Sequence, residues 1–173
     1  MRFWATPPYN GCLVDYVTHP ASFTFKLPDN VSVREGALVE PLAVGLSAAE
    51  KGDVKLGDTV VIFGAGCVGL VTLLAAKARG ASRIIVADVI ESRLNVARSF
   101  GGITIDSGKQ DAVAVIMEAV DLHPVKQMDQ FALVVVQVVK AGGDAADQRH
   151  FGGAHGMERA FSGGRFFYGE GYH

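Results

Sequence analysis

Apolar positions along this chain change their spacing twice, and the changes divide it into three parts. Thr59-Val60-Val61-Ile62-Phe63 is an unbroken, β-branched run, as expected of a parallel strand buried on both faces. Residues 68–79 follow with helical spacing and stop at Gly80, since glycine past the last turn is a common helix end. A second apolar run, Ile84-Ile85-Val86-Ala87, ends at Asp88. The alternation then continues: a helix over 91–99, a short strand at Ile103-Thr104-Ile105, a helix over 112–120 and a strand over 131–139. Strands and helices in strict alternation predict an α/β fold with a mainly parallel sheet.

The flanks read differently. Upstream, Ser32-x-x-Glu35 fits a capping box, so a helix should open there and restart near Pro41. Before it, residues 12–17 and 23–27 are β-rich runs set between Pro7, Pro8, Gly11, Pro20 and Pro28, which predicts two short strands. Two such strands bury too little to stand alone, so 1–30 reads as the trailing edge of a larger β domain. Downstream, nine of the 34 residues in 140–173 are glycine. Neither period survives that density, and the stretch reads as an irregular tail. The expected organisation is therefore 1–30, 31–139 and 140–173.

Composition narrows the classes of function. A formal net charge of -2 leaves no basic footprint for nucleic acid or a polybasic membrane patch. No apolar run reaches the roughly 20 residues of a membrane helix, and the start lacks the apolar core of a secretory signal. Cys12 and Cys67 form no Cys-x-x-Cys pair and point to a reducing, cytoplasmic setting. Cys12 is expected to be a small buried side chain.

Chemistry concentrates at Gly64-Ala65-Gly66-Cys67-Val68-Gly69, a G-x-G-x-x-G loop between a predicted strand and a predicted helix. In that context Gly64 permits the turn, Gly66 lets a pyrophosphate approach the backbone at a helix N-terminus, and Gly69 lets helix and strand pack closely. Asp88 follows Gly69 by 19 residues. At the end of the second strand, its carboxylate can accept both ribose hydroxyls of an adenosine and would repel a 2′-phosphate, which favours NAD over NADP. Asp88 also suits a turn cap, and Arg93 suits either an adenosine contact or a solvated helix face. The loop has no G-K-[ST] ending, which disfavours a P-loop nucleotidase.

Beyond these residues, Ala5-Thr6-Pro7-Pro8, Gly11-Cys12-Leu13, residues 26–31, Glu35 through Gly45 and the glycine loop together resemble the zinc-dependent polyol dehydrogenases. These are the xylitol and sorbitol dehydrogenases of the medium-chain dehydrogenase/reductase superfamily, and the resemblance runs from Arg2 to about Ala119. It implies a GroES-like β domain carrying catalytic zinc, a Rossmann-type domain binding NAD, oxidation of a polyol to a ketose, and a homo-oligomer. It also implies that Glu40 faces the zinc or substrate and that Val68, Asp88 and Arg93 line the NAD site.

The resemblance places the family's zinc cysteine and His-Glu pair upstream of this chain, which then reads as a fragment, inactive alone, that holds no zinc by itself. Cys67 stands where the family usually has proline. His19, His123, His150, His155 and His173 have no metal-ligand spacing. Three functions stay open at this point: the cofactor part of a polyol dehydrogenase, a non-catalytic dinucleotide-binding module, and the cofactor domain of another oxidoreductase such as a flavin enzyme.

Overall fold

The structure, a computed structural model, describes residues 9–121, 131–135 and 165–168. The chain forms two compact units, Met1–Ala37 and Leu38–His173.

In the first unit the described residues 9–30 form no strand; their helical element is a 3-10 turn at Ala21–Phe23. The strands expected over 12–17 and 23–27 are therefore absent, and Cys12, expected to be buried, is exposed. The physical reason is the same for both: a short extended run without a neighbour has neither a ladder to bond to nor a face to bury against. The predicted capping box does form at α1 (Val33–Gly36). The Ser32 hydroxyl accepts the Glu35 N–H at 3.2 Å, and the Glu35 carboxylate accepts the Ser32 N–H at 2.8 Å. The bonds from Ser32 hold the Glu35 carboxyl below its usual range.

The second unit opens with α2 (Val39–Lys51). The helix restarts at Val39 rather than at Pro41, which places Pro41 in the first turn, where a missing N–H costs no intrahelical bond. Next come β1 (Thr59–Phe63), α3 (Cys67–Ala78), β2 (Arg83–Asp88), α4 (Glu91–Ser99), β3 (Ile103–Asp106), α5 (Ala112–Asp121), β4 (Phe131–Val135) and β5 (Arg165–Tyr168). The strand β4 falls in the predicted run over 131–139, whose last four residues lie outside the described ones. The strand β5 lies within 140–173, which was expected to be irregular; the rest of that stretch lies outside the described residues.

All strand pairs are parallel, in the order β3-β2-β1-β4-β5. This is the doubly wound, Rossmann-type arrangement: the chain builds outward from β1 through β2 to β3, then returns to the other side of β1. Val60, Val61 and Ile62 of β1 are fully buried, which explains why this strand is apolar without alternation. Leu73, Ala75 and Ala76 of α3 share one core cluster with Val60, Ile62, Val86, Leu94 and Ala97. Helix α2 lies against α3 at Gly45, where a β-carbon would stand 2.7 Å from the Val71 backbone.

Candidate functional site

The site lies where β1 ends and α3 begins. Doubly wound sheets bind ligands outside the carboxyl ends of their strands, at the point where strand order reverses. That point here is the edge shared by β1, β2 and β4.

Two glycines of the loop have distinct mechanical tasks. Gly64 has φ +101°, a left-handed turn that side chains resist, and its N–H donates to the Ala87 carbonyl of β2 at 2.7 Å. Gly69 is buried, and a β-carbon on it would stand 1.8 Å from the Gly64 carbonyl oxygen. Only glycine lets α3 sit that close to the turn. Gly66 is different. It caps α3 with φ -72° and ψ -174°, a conformation open to any residue, and a β-carbon there would meet nothing within 4 Å. The fold itself makes no demand for glycine at 66.

Helix α3 has no side-chain cap at its start. The N–H groups of its first turn lack carbonyl partners within the helix, and together with the helix dipole they favour an anion. Cys67, at the first helical position, is exposed. Val68 is half-buried and packs on the core.

Asp88 ends β2 and is 4% exposed. Its carboxylate turns toward the loop: Oδ2 accepts the Ala65 N–H at 2.7 Å, and Oδ1 accepts the Ile90 N–H at 2.8 Å. The guanidinium of Arg93 lies 3.9 Å from Oδ2 and remains half in solvent. Asp88, Arg93 and the three glycines therefore gather at one end of the sheet. The bond to Ile90 is the turn cap that Asp88 was also expected to suit; the Ala65 amide was missed in the sequence, because a backbone donor has no residue-type signal. Aspartate often bonds the amide two residues on, which is the physical reason for that cap.

Just beyond, at the end of β3, the Ser107 N–H donates to the Asp88 carbonyl, and its buried hydroxyl is unpartnered. Asp106 pairs with Lys109 at 2.6 Å. That hydrogen bond holds the Asp106 carboxyl below its usual range and the Lys109 ammonium above its own.

Glu40 lies elsewhere, exposed in the first turn of α2. Among the described residues, no three His, Cys, Asp or Glu side chains stand close enough together to hold a metal ion. Glu40 therefore belongs to no group of metal-ligating side chains among the described residues. No helix among the described residues is long and apolar enough to cross a membrane.

No family model matches the chain. Individual proteins do. A D-xylulose reductase of Morganella morganii is 50% identical over 115 residues, which is 66% of this chain and 34% of that protein. A sorbitol dehydrogenase of Mus musculus is 50% identical over 109 residues, 62% of this chain and 30% of that protein. Among solved structures, an oxidoreductase/dehydrogenase of Escherichia coli is 48% identical with a TM-score of 0.63, covering 67% of this chain and 34% of the other. The chain spans about a third of the length of the curated relatives it matches.

Proposed function

We propose, from the premise that this chain belongs over its matched length to the zinc-dependent polyol dehydrogenases of the medium-chain superfamily, that it supplies the cofactor half of an NAD-dependent polyol oxidation. The substrate class is a xylitol- or sorbitol-type polyol and the product a ketose. NAD, when bound, accepts the hydride. The chain's own residues bind and orient it: the first-turn amides of α3 take the diphosphate, and Asp88 takes the adenosine ribose. Arg93, beside the carboxylate, flanks the adenosine, and Val68 backs the phosphate end. Glu40 would face substrate or metal only where the remaining ligands are supplied.

The observation that carries this reading is the empty front of Gly66 beside a buried carboxylate aimed at the same loop. A structural turn would explain Gly64 and Gly69, and at Gly66 only the modest preference for glycine over alanine as a helix cap. Asp88 favours NAD over NADP because its charge opposes a 2′-phosphate. The proposed setting is the cytoplasm, in keeping with two unpaired cysteines.

The test is thermal unfolding of the 173-residue chain with NAD, NADP, FAD or AMP. A ligand that binds only the folded state at a hundredfold excess over Kd adds about 2.7 kcal/mol. NAD should raise the transition most, AMP partly, and FAD not at all. Stabilisation by FAD, or none by NAD, rejects the assignment. The chain alone should not turn over xylitol or sorbitol; measurable NADH from the purified chain would reject the view that it supplies only the cofactor half.

A further inference from the structure

Asp88 makes more contacts than a ribose-binding residue requires. Its two carboxylate oxygens accept two backbone N–H groups, one from Ala65 inside the glycine loop and one from Ile90 at the start of α4. The first spans 23 residues of sequence and is buried. From this geometry we infer that Asp88 holds the glycine loop in its diphosphate-binding shape, and so positions the phosphate end of the cofactor as well as the adenosine end. The inference rests on the nucleotide reading above and adds a second task at the same site.

Three observations support it. The Ala65 methyl is fully buried, so that residue is fixed on one side by packing and on the other by the Asp88 bond. The flanking Gly64 N–H is tied to Ala87, the residue before Asp88. The turn is thus bonded twice to the end of β2, once through backbone and once through the carboxylate. The next residue, Gly66, presents the open space where the diphosphate would lie. A carboxylate has about four acceptor positions; two backbone amides leave room for two ribose hydroxyls, so both tasks fit one side chain. A charged acceptor in a buried setting also makes a stronger bond than a neutral one.

The two roles differ in the sign of one measurement. A carboxylate that met only the ribose would repel a nearby anion, and its removal would tighten binding of inorganic pyrophosphate. A carboxylate that shapes the loop does the opposite: removal releases Ala65 and weakens pyrophosphate. The experiment uses the full chain, nitrogen-labelled, observed by NMR.

In the ligand-free wild type the Ala65 amide should be protected from exchange. In Asp88→Asn that protection should fall while the β1 and β2 amides keep theirs, and the pyrophosphate Kd should rise at least about fivefold, the equivalent of one lost hydrogen bond. Freely exchanging Ala65 in a wild type whose β1 is protected overturns the inference. So does unchanged or tighter pyrophosphate binding in folded Asp88→Asn, or pyrophosphate that shifts no loop amide in the wild type. Should the variant fail to fold, the wild-type exchange measurement decides alone. A wild type that holds pyrophosphate and protects Ala65 yet ignores NAD would reject the cofactor assignment and leave the loop-shaping role standing.

Discussion

Gly66 and Gly69 stand three residues apart and should respond to a β-carbon in opposite ways. Gly69→Ala puts its methyl carbon 1.8 Å from a backbone oxygen, so α3 must move; the expected cost is about 3 kcal/mol or more, read as a lower denaturant midpoint. Gly66→Ala meets open space and should cost less than about 1 kcal/mol as a poorer cap. Its penalty falls on NAD, whose Kd should rise about tenfold or more as the methyl occupies the approach to the backbone; titration calorimetry separates the two effects.

At the same scale, Lys109→Ala should move the Asp106 titration back up toward the ordinary carboxylate range, as followed by NMR. The sign follows from the directions of the shifts. A lowered Asp106 stabilises the fold above its unfolded pKa and loses that contribution as pH falls through the folded value. A raised Lys109 stabilises below its unfolded pKa and loses its contribution as pH rises through its folded value. The pair therefore contributes between the carboxylate and lysine ranges, and only weakly, because Lys109 is exposed and salt screens it.

At the scale of elements, the site depends on α3 packing closely on α2, β1 and β2. Leu73 is fully buried on α3, and Leu73→Ala should cost about 2–5 kcal/mol, measured by chemical denaturation. Gly45 is the counterpart on α2: an alanine there would overlap the Val71 and Thr72 backbone and push the helices apart. Both substitutions lie away from the glycine loop, so NAD affinity should suffer only as far as α3 shifts.

At the scale of the whole chain, the two units differ in how much they bury. Of residues 9–30, Leu27 is half-buried and the others are exposed, including Leu13, Tyr16 and Phe25. Limited proteolysis should cut in that stretch before it cuts β1 through β3, because cleavage follows exposed backbone with few bonds to break. Early cleavage within residues 59–106 would contradict this division.

Much of the α/β unit was legible from residue order alone. Unbroken apolar runs give strands buried on both faces, 3.6-residue spacing gives the helices between them, and glycines at fixed offsets give the turn; these are local properties of the backbone and its nearest neighbours. The N-terminal runs were misread because β-propensity reports a preference that only a neighbouring strand can satisfy. Arg165–Tyr168 was missed because a four-residue strand at a sheet edge is defined by its partner, β4, rather than by its own pattern. The tertiary structure alone decided which way the Asp88 carboxylate points, what stands in front of Gly66, and that Glu40 has no metal partners among the described residues. Those facts depend on groups far apart in sequence brought within hydrogen-bond or van der Waals distance, and residue order encodes them only through the folded chain.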